Sequence, residues 1–440
     1  MLLNLRSIMV SRFEEVNDHD YHVYAVPTFE PQFCRECLSA ALYGHGSKTH
    51  LYMDTPMHGR RVGILLDRKR YKCRGCGITF SQRCDDINDH HRATNRLVSY
   101  IESNGLNKTF TSLAEEIGVT EGTVRNIVGE YITSLEQKFQ FETPEILGID
   151  EVHLNRQMRL VFTNIGECTI IDLVSSRKKQ TVIHALYRFK KPTTIKYVTM
   201  DMWRPYKDAV NAVLPHAIIV IDKFHVLKMA NSAVERGRKA LREQMTKEEV
   251  RQLKKDRFLM LRRQRDLNAS EEFLLSGWTE NYPLLHDLYF KKERFYEIWE
   301  HNHNRKSAEL AYKNWQINMK PEIRGFFFDL ERAIENWYHE IFNYFDYRIT
   351  NAFTESANNF IKSIARHGRG YSFEVLRAKT LFTNAEHKLK PKSFRSEFRK
   401  INTELPEEVT EKSPAYSGII EDKILNYGVI FPHEPEKRNF

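Results

Sequence analysis

Two apolar runs in the middle of this 440-residue chain each stop on an aspartate. Ile146-Leu147-Gly148-Ile149 leads into Asp150, and Ile195-Lys196-Tyr197-Val198-Thr199-Met200 leads into Asp201. Apolar, partly β-branched runs of that length read as strands, so each aspartate marks one edge of a buried sheet. Far downstream, Glu355 opens a helical stretch running from Thr354 to Lys362. Three carboxylates gathered in one place cannot all stay ionised cheaply unless divalent cations sit between them. Cation pairs held by carboxylates are a standard device for cutting and rejoining phosphodiesters. Either aspartate alone could be a solvent-facing strand end; the repeated placement points to a site.

The surrounding pattern is an alternating one. Residues 145–154, 159–165 and 169–174 predict three strands, the last two joined by a turn at Gly166. A helix follows at 180–189, a strand at 195–200, a helix at 204–214 and a fifth strand at 216–221. That order predicts a mixed sheet flanked by helices. Glu151 follows Asp150, and alternation along a strand turns it to the opposite face. Asp222 ends the fifth strand and His225 follows it; the pair reads as support behind the acids, or as a strand-end cap and a helix start.

Upstream, Cys34-Arg35-Glu36-Cys37 and Cys73-Arg74-Gly75-Cys76 form two matched C-x-x-C pairs. Four thiolates close a tetrahedral zinc site, and two intervening residues let one tight turn present both sulfurs. Such a site leaves no open position for chemistry, so Cys34, Cys37, Cys73 and Cys76 are expected to hold structural zinc. Cys84 and Cys168 have no partner pattern and read as small apolar fillers. Next, Leu113, Ala114 and Ile117 share one helical face and Val124, Ile127 and Val128 another, with Gly118 between them and Thr120 placed as an N-cap. This predicts a helix-turn-helix presenting Thr123, Arg125 and Asn126 outward; an ordinary helical hairpin is the alternative. Residues 131–142 read as a linker.

The formal charge of +9 and pI near 9.0 favour an anionic partner. An apolar fraction of 41% is ample for a packed core, which excludes wholesale disorder. No apolar run approaches membrane-spanning length, and the N-terminus lacks the pattern of a secretory signal, so no membrane partner is expected.

Taken in order, these motifs resemble a known family. They are the four-cysteine ribbon, the helix-turn-helix, Leu147-Gly148-Ile149-Asp150-Glu151, Met200-Asp201-Met202-Trp203-Arg204-Pro205-Tyr206, Ile221-Asp222-Lys223-Phe224-His225 and Thr354-Glu355-Ser356-Ala357-Asn358-Asn359. The chain is similar, over residues 33–381, to bacterial insertion-sequence transposases of the ISL three (ISL3) family. The resemblance implies an α/β, RNase H-like mixed sheet flanked by helices, with a helical insertion, behind an N-terminal zinc ribbon and helix-turn-helix. It implies a DDE triad of Asp150, Asp201 and Glu355 holding two magnesium ions, with manganese as a substitute. Asp222 and His225 would support them. The expected segments are 1–90 (ribbon), 91–143 (helix-turn-helix), 144–228 (first part of the catalytic core), 229–350 (helical insertion), 351–387 (final core helix) and 388–440 (a tail without functional signal). Within the insertion, Thr246-Lys247-Glu248-Glu249 predicts a capping box opening a basic helix through Arg265. On the last helix Glu355, Asn359, Lys362 and Arg366 share a face, so the last three are expected to bind DNA, Lys362 and Arg366 through its phosphates.

The implied activity is binding of double-stranded DNA at terminal inverted repeats, followed by strand cleavage and transfer into target DNA. Pairing two ends implies a homodimer or larger assembly on DNA, in the bacterial cytoplasm at the nucleoid. A non-catalytic DNA-binding regulator on the same scaffold, and a structure-specific DNA nuclease, are the rival readings.

Overall fold

The computed structural model describes residues 3–140, 142–368 and 370–383; the tail expected at 388–440 lies outside the described residues. Chain contacts divide these residues into two compact units, 3–140 with 364–383, and 142–363.

The first unit opens with a sheet where the cysteine spacing alone predicts only a ribbon. Its strands are β1 (Ile8–Asn17), β2 (Asp20–Pro27), β3 (Leu42–Met57), β4 (Arg60–Cys73), β5 (Thr79–Ser81), β6 (Ile87–Asn88) and β7 (Ala93–Thr94). They pair in the order β1-β2-β4-β3-β7-β6, with β5 on β4. Alternation along β2 and β4 buries Tyr21, Val23 and Ala25 against Val62, Ile64 and Leu66. Cys34 and Cys37 lie in the loop after β2; Cys73 closes β4, and Cys76 sits in the turn before β5.

Three helices follow: α1 (Asn95–Gly105), α2 (Phe110–Ile117) and α3 (Glu121–Lys138). Thr109 and Thr120 cap α2 and α3, each hydroxyl accepting a backbone N–H of the first turn. Gly118 adopts φ +75° at the end of α2, the left-handed turn that joins the pair. The expected linker at 131–142 is instead mostly helix, because α3 continues to Lys138 and buries Ile132. Propensity gave no stop signal there, and packing extended the helix.

In the second unit, β8 (Ile146–Leu154), β9 (Gln157–Asn164), β10 (Thr169–Val174), β11 (Tyr197–Met200) and β12 (Ile218–Ile221) form one sheet, with α4 (Lys179–Leu186) and α5 (Arg204–Val213) between strands. The strand order is β10-β9-β8-β11-β12. The first three strands pair antiparallel, while β8, β11 and β12 run parallel. This is the RNase H-like order, a mixed sheet with helices packed on it. The helix α6 (Lys223–Ala240) leaves β12 and enters the helical insertion.

The insertion continues through α7 (Lys247–Lys255), α8 (Arg257–Leu261), α9 (Ala269–Asn281), α10 (Pro283–His301), α11 (Arg305–Ile317), α12 (Pro321–Asn336) and α13 (Tyr338–Tyr347). Its aromatics, including Phe295, Trp299, Trp315 and Phe327, share one buried cluster with the sheet. The capping box at Thr246 and Glu249 forms as expected. The single basic helix through Arg265 does not: α7 stops at Lys255, and the chain turns at Asp256. The Asp256 carboxylate there accepts hydrogen bonds from the Gln252 amide and the Trp278 indole. Two further helices follow, α14 (Ala352–Gly368) and α15 (Phe373–Phe382). Within the first unit, the Lys379 ammonium donates to the carbonyls of Gly105, Leu106 and Lys108, tying α15 to the end of α1.

Candidate active site

Strand register sets the acids side by side. Thr199 pairs with Gly148, so extending the parallel register by two residues carries Asp201 to the level of Asp150. Met200 pairs with Ile221, so one further step carries Asp222 to the same level. Three aspartates therefore stand abreast on three neighbouring parallel strands, Asp201 and Asp222 just past the ends of β11 and β12 and Asp150 midway along β8, which continues to Leu154 paired with β9. Asp150 and Asp222 are buried. Ligands commonly bind outside the carboxyl ends of such strands.

The helix α14 brings Glu355 to this edge, and a glycine lets it come close. A Cβ on Gly148 would lie 2.2 Å from the Thr163 hydroxyl and 2.6 Å from the Thr354 hydroxyl. Those two hydroxyls hydrogen-bond each other at 2.6 Å across the glycine, pinning α14 on the sheet. Thr354 also donates to the Asn351 side-chain carbonyl, and the Asn351 backbone N–H donates to Asp222 Oδ1 at 3.4 Å.

The tightest ligand group is Asp222, His225 and Glu355, whose donor atoms all lie within 4.8 Å of one another. Asp150 and Asp201 fall outside that group, so the structure gathers Glu355 first with the two residues read as support. Asp201 joins through His225, whose Nδ1 lies 2.9 Å from Asp201 Oδ1 and 3.4 Å from Asp222 Oδ2. Asp150 is held by two donors: the Glu151 N–H at 2.6 Å, and the Asn358 side-chain amide at 2.7 Å, which also donates to the Glu151 carbonyl. Glu151 does not join the acids; its carboxylate accepts from Arg177 and the Tyr206 hydroxyl.

Charge crowding shifts the pKa of these groups. Burial, then the Asp201 carboxylate, pushes Asp150 up to about 7. Burial and then Asp222 raise Glu355 above the usual carboxylate range. The Asp201 carboxylate, then Asp222, lifts His225 to about 10, so at neutral pH an imidazolium lies between two aspartates. Asp201 Oδ1, Asp222 Oδ2 and His225 Nδ1 are nonetheless buried without an aligned hydrogen bond. Both carboxylate oxygens face His225 Nδ1, and buried carboxylate oxygens gathered around one positive charge are also what a hard divalent cation satisfies. The residues fit such a group.

Sequence reasoning missed Asn358 and Lys228. Asn358 lies one helical turn after Glu355 and is buried, where a polar residue needs a partner. Lys228 is exposed on α6, and its charge is felt by Glu355. Asn359 and Arg366 are exposed and Lys362 half-buried along α14. On α3, Arg125 and Asn126 are exposed and Thr123 half-buried; Arg125 pairs with Glu121 at 2.5 Å.

The ribbon cysteines converge. Cys34 and Cys76 sulfurs are 3.5 Å apart, as are those of Cys37 and Cys73, and all four lie within 4.8 Å. Tetrahedral zinc with bonds of about 2.3 Å separates its sulfurs by roughly 3.8 Å. The Cys37 backbone N–H lowers the Cys34 thiol, and that of Cys76 brings Cys73 to about 6. Those two shifts favour the thiolates that bind zinc, whereas burial and the neighbouring sulfurs push Cys76 up to about 12, so with no ion present the cluster keeps a proton that zinc binding would displace.

A transposase family model, that of ISL3, matches residues 147–380, more than half of the chain and all of the acid-bearing elements after Ile146. The chain belongs to the ISL3 family of transposases. A second model, described as the zinc-finger of transposases IS204, IS1001, IS1096 and IS1165, matches residues 30–76 of this ISL3 chain. The chain is also 23% identical over 359 residues to the transposase for insertion sequence element IS1001 of Bordetella parapertussis, covering 79% of this chain and 87% of that one. A structural zinc ribbon and DNA binding go with the two family matches. No helix among the described residues is long and apolar enough to cross a membrane.

Proposed function

We propose that this ISL3-family chain binds the terminal inverted repeats of an insertion sequence and performs metal-dependent cleavage and strand transfer of DNA. The observation that carries the reading is the row of Asp150 within β8 and of Asp201 and Asp222 just past the ends of β11 and β12, with Glu355 within ligand reach of Asp222 and His225. Asp150, Asp201 and Glu355 would hold two magnesium ions, or manganese in their place, which supply activation of water or a DNA 3′-hydroxyl and stabilisation of the departing oxygen.

The chain's own groups prepare that site. Asn358 and the Glu151 N–H fix the Asp150 carboxylate, so its lone pairs point one way. The His225 imidazolium keeps Asp201 and Asp222 together when no other cation is bound. Because Asp150 holds its proton until about pH 7, cation binding there must release one. Lys228, Asn359, Lys362 and Arg366 are offered to phosphates, and Thr123, Arg125 and Asn126 to DNA bases or backbone.

The ligand distances favour a second assignment inside the same reading, in which Asp222 is itself a metal ligand and not only a support. Asp222→Asn and Asp201→Asn, compared for magnesium affinity and nicking, separate the two. The wider test supplies end DNA, target DNA and magnesium to the wild type and to Asp201→Ala. Wild type should nick and join, while the variant keeps end binding and loses both. End binding without nicking in the wild type would leave a non-catalytic regulator, unchanged nicking in the variant would remove Asp201 from the site, and cleavage without joining of pre-cut ends would leave a nuclease.

A further inference from the structure

The turn between β6 and β7 carries two adjacent histidines that converge on one carboxylate. His91 Nε2 lies 3.1 Å from Glu130 Oε2, and His90 Nε2 lies 3.6 Å from Glu130 Oε1. The two rings are 4.6 Å apart, and one donor atom from each of the three side chains falls within 4.8 Å of the others. Neighbouring side chains in extended chain point apart, but this turn bends: Arg92 adopts φ +50°, and the Asn88 side-chain oxygen accepts the His91 backbone N–H at 3.1 Å. The turn is anchored before any ligand arrives, because Asp89 accepts from the Tyr52 hydroxyl at 2.8 Å and from Arg68 at 2.5 Å. Glu130 comes from the middle of α3.

We infer that His90, His91 and Glu130 form a transition-metal site, most simply for zinc, that clamps α3 to the β6–β7 turn. A tetrahedral ion with bonds of about 2.0–2.1 Å separates its donors by roughly 3.3–3.4 Å, so both histidine–glutamate pairs already stand near the required spacing. Two imidazoles and one carboxylate suit zinc, cobalt, nickel or copper, whereas magnesium and calcium favour all-oxygen sets. Without an ion, two imidazoles share a single carboxylate; with one, all three donors are satisfied at once. The His91 side chain is only 8% exposed, while His90 and Glu130 are open at 79% and 59%, so a fourth position faces solvent. The site shares no residue with the four-cysteine ribbon or with the Asp150, Asp201, Asp222 and Glu355 group. Its consequence for DNA rests on the proposed function, because α3 also carries Thr123, Arg125 and Asn126; the metal site itself does not.

The test is calorimetric titration of zinc chloride into the full-length chain, with the ribbon already loaded and magnesium in excess. Wild type should bind one more zinc per chain than His90→Ala/His91→Ala, and Glu130→Gln should bind that zinc at least about 10-fold more weakly. Cobalt in place of zinc should add a weak visible band without thiolate charge transfer, and the double variant should lack it. Equal stoichiometry in wild type and double variant overturns the site, and unaltered affinity in Glu130→Gln overturns the three-donor assignment. Glu130 is exposed, so that variant stays folded if the double variant does not. Because the readout is metal binding, a failure here is distinct from a failure of DNA cleavage.

Discussion

At the residue scale, Asp150 concentrates the physics of the site. Its pKa of about 7 in the folded chain stands above the value near 3.9 of an unfolded aspartate, so the native state binds the proton more tightly. Stability from that proton is full below about pH 4 and disappears as pH rises through about 7. In magnesium-free buffer, wild type should therefore lose stability relative to Asp150→Asn across that window, by an amount on the order of a few kcal/mol. Magnesium should restore more of it the higher the pH. Thermal unfolding of both chains at pH 4 to 7 measures this, and a constant difference between them contradicts it. Gly148 is the second decisive residue. Gly148→Ala would drive a methyl group into the Thr163–Thr354 hydrogen bond, at a cost of about 1–3 kcal/mol. Cleavage should fall by about 100-fold or more as α14 lifts, while binding of end DNA persists; gel-shift and nicking assays on one preparation separate the two effects.

Elements explain why some features are readable and others are not. The helix pair α2 and α3 is written locally: two threonine caps, one left-handed glycine and apolar residues at helical spacing are all short-range signals. Thr120→Ala should cost about 1 kcal/mol and speed hydrogen exchange in the first turn of α3, read by mass spectrometry. The polar face of α14 is equally legible, since Glu355, Asn359, Lys362 and Arg366 follow the helical repeat. If Lys362 and Arg366 meet phosphates, replacing either by alanine should weaken binding to all sequences alike and reduce the slope of log affinity against log salt by about 1. Salt titrations on specific and unrelated DNA decide it. The break at Asp256 was not legible, because its cause is a long-range one: the Trp278 indole, 22 positions away, donates to that carboxylate. The extension of α3 to Lys138 had the same origin in packing.

For the whole molecule, the division into residues 3–140 with 364–383 and residues 142–363 sets where damage should spread. Cys34→Ser removes one of four clustered thiolates and with it the zinc that closes the loop after β2 and the turn before β5. Exchange protection should drop around residues 30–81, while the buried cluster from Leu147 to Ile349 keeps its protection. Loss of protection in β8 and β11 would contradict independent cores. The insertion illustrates why such a division is invisible from composition: its helices look like a separate bundle, yet Phe295, Trp299 and Trp315 belong to the same buried cluster as the sheet strands.

The amino-acid order by itself determined the strands and the acids they carry, the cysteine pairs, the capped helix pair and the glutamate-bearing helix, because these depend on periodicity and on neighbours a few positions apart. Only the tertiary structure decided which acids stand together. Asp222 reaches the level of Asp150 and Asp201 through the parallel register of β8, β11 and β12, and a register between distant strands leaves no local mark. Asn358 meets Asp150 across 208 positions of chain, and Glu130 meets His91 across 39. Contacts of that range are set by how whole elements pack, so pattern supplies the groups and packing supplies the distances between them.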